Sequence, residues 1–194
     1  MQQKHYNTSM QRESSENFFT ELLKFVALAA LIVFPIRLFV AQPFIVSGAS
    51  MNPTFLDGQY LIVDELSYRL QDPARGDVII FRYPKNPKEF FIKRIIGLPA
   101  ETVSIDGNTI TITKADGGNI SLSEPYIINH GNGSANSYSL KTGEYFVMGD
   151  NRPESSDSRV WGALQRDNIV GRAFVRLLPL NTIGVFPGST PEQK

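Results

Sequence analysis

The stretch Phe90-Phe91-Ile92-Lys93-Arg94-Ile95-Ile96 is an apolar run interrupted by two adjacent cations. Read with a period of two, Phe91, Lys93 and Ile95 share one face of a β-strand. A lysine emerging between two large apolar groups is desolvated, and desolvation disfavours its charged form. Forty-three residues earlier stands Ser50, in Ser47-Gly48-Ala49-Ser50-Met51-Asn52-Pro53-Thr54, directly after another apolar run. Taken singly, Ser50 reads as a turn opener or helix cap and Lys93 as a side chain snorkelling from an edge strand. Together they read as a serine–lysine dyad. A lysine of ordinary pKa ~10.4 is almost wholly protonated at neutral pH, and bringing it near 7 takes roughly 4 kcal/mol against the charged form. The two histidines offer no alternative base: His5 lies in a polar N-terminal tail and His130 opens a Gly/Ser-rich loop. Neither is placed for a conventional triad.

Outward from this strand, short apolar runs alternate with turn signals: Pro43 to Val46, Tyr60 to Val63, Val78 to Tyr83, Thr102 to Ile105, Thr109 to Thr113, Tyr145 to Met148 and Ile169 to Leu178. The pattern predicts a mainly β fold. Asp106-Gly107-Asn108 and Asp116-Gly117-Gly118-Asn119 are hairpin signals between alternating runs. Leu66 to Leu70 has room for a single helical turn before Asp72-Pro73 stops it.

The N-terminal part has a different character. Residues 1–17 are polar and predict a disordered tail. From Leu22 to Val40, 19 residues carry only Lys24 and Arg37 as charges, a length of roughly 28 Å as a helix. Phe25 to Ile36 is apolar all round, and Phe39 before Val40-Ala41 departs from the small-residue pattern of a cleaved signal peptide. The reading is a retained single transmembrane anchor over residues 18–40, although a buried core helix also fits the 12 strictly uncharged positions. Three basic and three acidic side chains in residues 1–24 leave its orientation undirected by charge. The remainder, 41–186, is long enough for one main domain, and 187–194 reads as a flexible end.

Composition narrows the function. Nineteen basic side chains balance nineteen acidic ones, so nothing favours a nucleic-acid partner. The absence of cysteine excludes disulfides, thiol nucleophiles and thiolate zinc sites, and two histidines speak against a histidine-built metal centre. The sequence carries no signal for oligomeric state.

Four ordered segments sharpen this reading: Ser47-Gly48-Ala49-Ser50-Met51-Asn52-Pro53-Thr54, Arg75-Gly76-Asp77-Val78, Lys93-Arg94-Ile95-Ile96-Gly97-Leu98-Pro99, and Gly149-Asp150-Asn151-Arg152 through Ser155, Asp157, Ser158 and Arg159. In order, spacing and position after an anchor they resemble the boxes of type I signal peptidases, over roughly residues 20–185. The resemblance implies a catalytic β-fold of coiled sheets, shared with repressor-type self-cleaving proteins, with a small β-subdomain inserted around 106–141. It implies Ser50 as nucleophile and Lys93 as general base, with no metal or organic cofactor. Ser155 would hydrogen-bond the lysine amine, Asp157 would pair with Arg159, and Asp150 with Arg94. The Ser50 N–H would serve the oxyanion, but where some members carry a serine whose hydroxyl assists, this chain has Gly48. Phe44, Val46, Met51, Phe55, Leu61, Phe91 and Ile92 match positions near the substrate pockets. The implied partners are signal peptides of exported preproteins, cut after small residues at −1 and −3, and a lipid bilayer. The implied location is a bacterial-type cell membrane or a thylakoid, with the N-terminus cytoplasmic and the catalytic domain on the other side. Competing readings are a soluble self-cleaving repressor, which needs a DNA-binding domain, a tethered β-domain that only binds partners, and a catalytically dead relative.

Overall fold

The computed structural model describes residues 18–31, 33, 41–130 and 135–190. The chain divides into two units, 1–40 and 41–194. In the first, residues 18–31 form a helix, α1. Among the described residues no helix is long and apolar enough to cross a membrane. The expected anchor extends to residue 40, and positions 32 and 34–40 of it lie outside the described residues, as do the tail 1–17 and the end 191–194.

The second unit is built from two antiparallel sheets. Its strands are β1 (Ala41–Ile45), β2 (Tyr60–Asp64), β3 (Val78–Tyr83), β4 (Asn86–Gly97), β5 (Thr102–Asp106), β6 (Thr109–Thr113), β7 (Asn119–Ser121), β8 (Asn136–Ser139), β9 (Glu144–Met148), β10 (Leu164–Gln165), β11 (Ile169–Leu178) and β12 (Gly184–Val185). The larger sheet has the order β1-β2-β11-β3-β4-β9-β10, with β12 added to β11. The smaller has the order β7-β6-β5-β8 and spans residues 102–139. The helices are short: α2 (Ser67–Leu70) and α3 (Ser158–Trp161).

Alternation along the strands explains how two cores share one sheet. Val78 and Ile80 of β3 pack with Val46, Met51, Phe55, Leu61, Val63 and Ala173, whereas Ile79 and Phe81 pack with Ile95, Tyr145, Val147 and Leu164 on the opposite face. A third cluster ties the sheets together: Ile96, Phe146 and Met148 of the large sheet meet Val103, Ile105, Ile110 and Ile112 of the small one.

Gly97 closes β4 at this junction. A Cβ there would stand 2.4 Å from Val103 Cγ2 and 2.8 Å from Leu140 Cδ1, closer than packed carbon atoms approach. Gly97→Ala is therefore expected to overpack the junction and cost about 1–3 kcal/mol. A denaturant midpoint unchanged from wild type would show that the two sheets part there without resistance.

Candidate active site

Residues Ser50 to Phe55 form a tight turn between β1 and β2, in which Asn52 N–H donates to Ala49 O and Phe55 N–H to Met51 O. The turn drives Met51 and Phe55 into the core, where they are 1% and 0% exposed. Ser50 is left above them, facing β4.

From β4, Lys93 reaches the same point. Its Nζ lies 2.7 Å from Ser50 Oγ and donates also to Ile92 O at 2.9 Å. Lys93 is 4% exposed, with its amine 5.4 Å from the centre of the Phe91 ring. Ile95, the other expected wall, is fully buried in the cluster against which Phe91 packs. Burial pushes the Lys93 amine down to about 8, against the raising influence of the Asp157 carboxylate and then that of Asp150. At pH 7 a pKa of about 8 leaves roughly one amine in ten neutral. In that form the lone pair can accept the Ser50 hydroxyl proton along the existing contact.

The segment after β9 holds this pair in place from behind. Asn151 N–H donates to Ser50 O at 3.0 Å, and Asn151 Nδ2 to Ala49 O at 3.1 Å. Asp150 forms a two-pronged pair with Arg94, Nε to Oδ1 at 2.9 Å and Nη2 to Oδ2 at 2.6 Å, both side chains 1% exposed. Thr54 Oγ1 also donates to Asp150 Oδ2, at 2.6 Å, so the ion pair grips the far end of the Ser50 turn. Arg94 Nη1 is further satisfied by Gly76 O and Gly188 O, the second from a C-terminal segment lying against the core. The Asp157–Arg159 pair has two contacts of 2.8 Å. Asp157 Oδ2 also accepts from Gly149 N–H, and Ser158 Oγ accepts from Val147 N–H.

One expected contact differs. Ser155 Oγ is buried and has no hydrogen-bond partner among the described residues, since the Lys93 amine is engaged by Ser50 Oγ and Ile92 O instead. Gly48 has φ +90°, a conformation that suits glycine, and its N–H is committed to Asp57 Oδ1 at 2.7 Å. That N–H is therefore not a free oxyanion donor. Ser50 N–H donates to no other described residue.

A cleft of about 440 Å³ opens beside Ser50 and Lys93. Of the residues expected near the substrate pockets, Phe44, Val46, Leu61, Phe91 and Ile92 line it, together with Ile80 and Phe90. Met51 and Phe55 do not, because the turn points both beneath the cleft floor. Sequence reasoning assigned no part to Thr54 or Asn151, although both stand inside the quoted motifs; their bonding depends on a contact between segments about a hundred residues apart. Among the described residues no group of acidic and histidine side chains gathers in metal-binding geometry.

Within a mainly β domain, a serine hydroxyl thus stands in hydrogen-bond contact with a buried lysine beside a largely apolar cleft. The sequence matches the profile described as "Signal peptidase, peptidase S26" over residues 19–178. It is 37% identical to the probable signal peptidase I-2 of Synechocystis over 92% of this chain and 83% of that one. Identity to a signal peptidase I of Leptolyngbya laminosa is 37%, over 84% of this chain and 82% of that one. To signal peptidase I T of Bacillus subtilis it is 32%, over 93% and 96%. The chain belongs to the signal peptidase family, peptidase S26, and is a serine endopeptidase.

Proposed function

We propose that the protein removes N-terminal signal peptides from exported preproteins, cutting after small residues at −1 and −3, with Ser50 as nucleophile and Lys93 as general base. The observation that carries this reading is the 2.7 Å contact between Ser50 Oγ and a lysine amine 4% exposed to solvent.

Neutral Lys93 takes the Ser50 proton as Oγ attacks the scissile carbonyl carbon. The oxyanion of the tetrahedral intermediate accepts a hydrogen bond from Ser50 N–H. The C–N bond breaks as the Lys93 ammonium returns the proton to the leaving amine, and the signal peptide remains as an ester on Ser50. Water, losing a proton to Lys93, attacks that ester; the proton passes back to Ser50 Oγ as the acid departs. Asp150, Arg94, Asp157 and Arg159 act as supports. Ser155 Oγ, buried and without a hydrogen-bond partner among the described residues, is an acceptor available to the amine once Ser50 Oγ is acylated.

The bulky lining of Phe44, Val46, Leu61 and Ile92 leaves shallow apolar room, which suits small side chains. β1 stands at one end of the large sheet, and its continuation through Ser50 lines the cleft, so an extended substrate backbone has an edge to pair with. Residues 18–40 anchor the chain in the membrane with the N-terminus cytoplasmic, which raises the local concentration of substrates emerging at the bilayer surface.

The test is preprotein cleavage by the full chain in detergent. Wild type is expected to release the signal peptide, Ser50→Ala to be slower by about 10³-fold or more, and a substrate with phenylalanine at −1 to resist. Equal cleavage by wild type and Ser50→Ala would sink the proposal.

A further inference from the structure

Behind the catalytic turn lies a second buried ion pair, contributed by the loop that joins β7 to β8 of the small sheet. Glu124 Oε1 accepts from Arg152 Nη2 at 2.5 Å and from Tyr126 OH at 2.7 Å. Both side chains of the ion pair are 5% exposed. Arg152 is a bracket for the turn, because its Nε donates to Gly149 O at 3.1 Å and its own carbonyl accepts from Arg159 Nη2 at 2.7 Å. Asn151, the residue bonded to Ser50 O, lies between these points. Tyr126 meets the second arginine of the network: the Arg94 guanidinium sits 3.9 Å above its ring. A single carboxylate outside the large sheet thus bears on two of the arginines that fix residues 149–152, Arg152 directly and Arg94 through Tyr126.

From this we infer that Glu124 is a positioning residue for catalysis, holding Arg152 and Tyr126 so that the 149–152 turn presents Ser50 to Lys93. The inference rests on the dyad proposed above. Without Glu124 the Arg152 guanidinium is a buried cation lacking its counter-charge, and such a group moves toward water or a new partner. In doing so it releases Gly149 O, and the turn is no longer fixed to the width of a hydrogen bond. A small displacement of a nucleophile from its base lowers the rate of the chemical step more than it lowers substrate binding. Glu124 itself does not line the cleft.

The experiment is steady-state cleavage of a peptide spanning a signal-peptide junction, by the full chain in detergent. It is run well below each variant's melting temperature and expressed per folded molecule. Glu124→Ala is expected to lower kcat about 10-fold or more with KM within about twofold, and Glu124→Gln, which keeps neutral hydrogen bonding, to recover part of the loss. In an Arg152→Ala background, Glu124→Ala is expected to add less than about twofold, since the two act as one unit. A role in stability alone predicts a lower melting temperature with wild-type kcat per folded molecule, and that result overturns the inference. If Glu124→Ala does not fold, Glu124→Gln and Tyr126→Phe decide: a kcat fall of about threefold or more at constant KM supports it, and wild-type kcat in both overturns it. Failure of wild type itself to cleave the peptide removes the dyad reading and this inference with it. Cleavage by wild type, loss in Ser50→Ala and full activity in the Glu124 variants refutes this inference alone.

Discussion

Lys93→Met is expected to reduce preprotein cleavage by about 10³-fold, within the range that removal of a general base produces, while leaving a protein at least as stable as wild type at neutral pH. The two expectations have one cause. The amine is held at about 8 because burial penalises its charge, so at pH 7 the fold carries an ammonium in an apolar setting. Methionine fills similar space without that charge. The pH dependence of stability separates this account from a loss of packing. The folded-state pKa lies below the unfolded value of about 10.4, so between roughly 8 and 10 the unfolded chain binds more protons, and stability rises with pH in that window. Below 8 both states are protonated and the contribution is flat. Lys93→Met removes this rise, and comparing melting temperatures of the two proteins from pH 7 to 9.5 isolates it. Tyr68 and Tyr126 are both raised by burial and so act above about 10, in the opposite direction. Wild-type activity is expected to follow the same group, with an ascending limb of kcat/KM centred near 8. A profile flat from pH 6 to 9, or full activity in Lys93→Met, would exclude Lys93 as the base.

The parts of the molecule legible in the sequence are those governed by local period and by motif. Val78–Tyr83, Thr109–Thr113 and Ile169–Leu178 are strands with the expected bounds, because the first two are runs rich in β-formers and the third, although interrupted at Gly171-Arg172-Ala173 and bulged in its pairing, is bounded by Asn168 and Pro179. Asn136–Ser139, with the sequence NSYS, gave no such signal; it pairs with β5 because the small sheet offers it an edge. The desolvation of Lys93 was also legible, since strand alternation alone places it with Phe91 and Ile95. Met51 and Phe55, expected near the substrate pockets, lie in the core beside the lining residues Val46, Leu61 and Ile80, since side-chain direction follows a turn geometry that motif position does not encode. The ion pairs fall between these cases. Arg94–Asp150 and Asp157–Arg159 were expected through resemblance, whereas Arg75–Glu101 and Arg152–Glu124 join residues 26 and 28 apart and emerge only from the packing of the two sheets. A cation and a carboxylate at such separations carry no sequence signature of pairing. What selects their partners is that all four pairs contain a buried carboxylate, which demands a counter-charge wherever the fold supplies one.

Gly149→Ala is expected to lower activity strongly, second only to loss of a dyad residue, without touching any group that reacts. A Cβ on Gly149 would fall 2.3 Å from Ser155 Oγ, 2.6 Å from Ser155 Cβ and 2.4 Å from the backbone oxygen of Ser50. Only the first of these is at a side-chain end; the Ser50 carbonyl is backbone, held by Asn151 N–H at 3.0 Å. Relief therefore requires the Ser50 turn and the 149–152 turn to separate, and Gly149 cannot retreat freely because Asp157 Oδ2 holds its N–H and Arg152 Nε its carbonyl. Moving Ser50 by several tenths of an ångström stretches the 2.7 Å contact to Lys93 beyond good proton-transfer geometry. The expected result is a kcat lower by about 10²-fold or more and a melting temperature reduced by several degrees, as overpacking of about 1–3 kcal/mol implies. Ser155→Ala in the same background removes the 2.3 Å clash but neither the clash with Ser155 Cβ nor that with Ser50 O, so it is expected to restore stability in part and activity little. Full recovery of cleavage in that double variant would show that Ser155, and not the path of the Ser50 backbone, is what Gly149 protects.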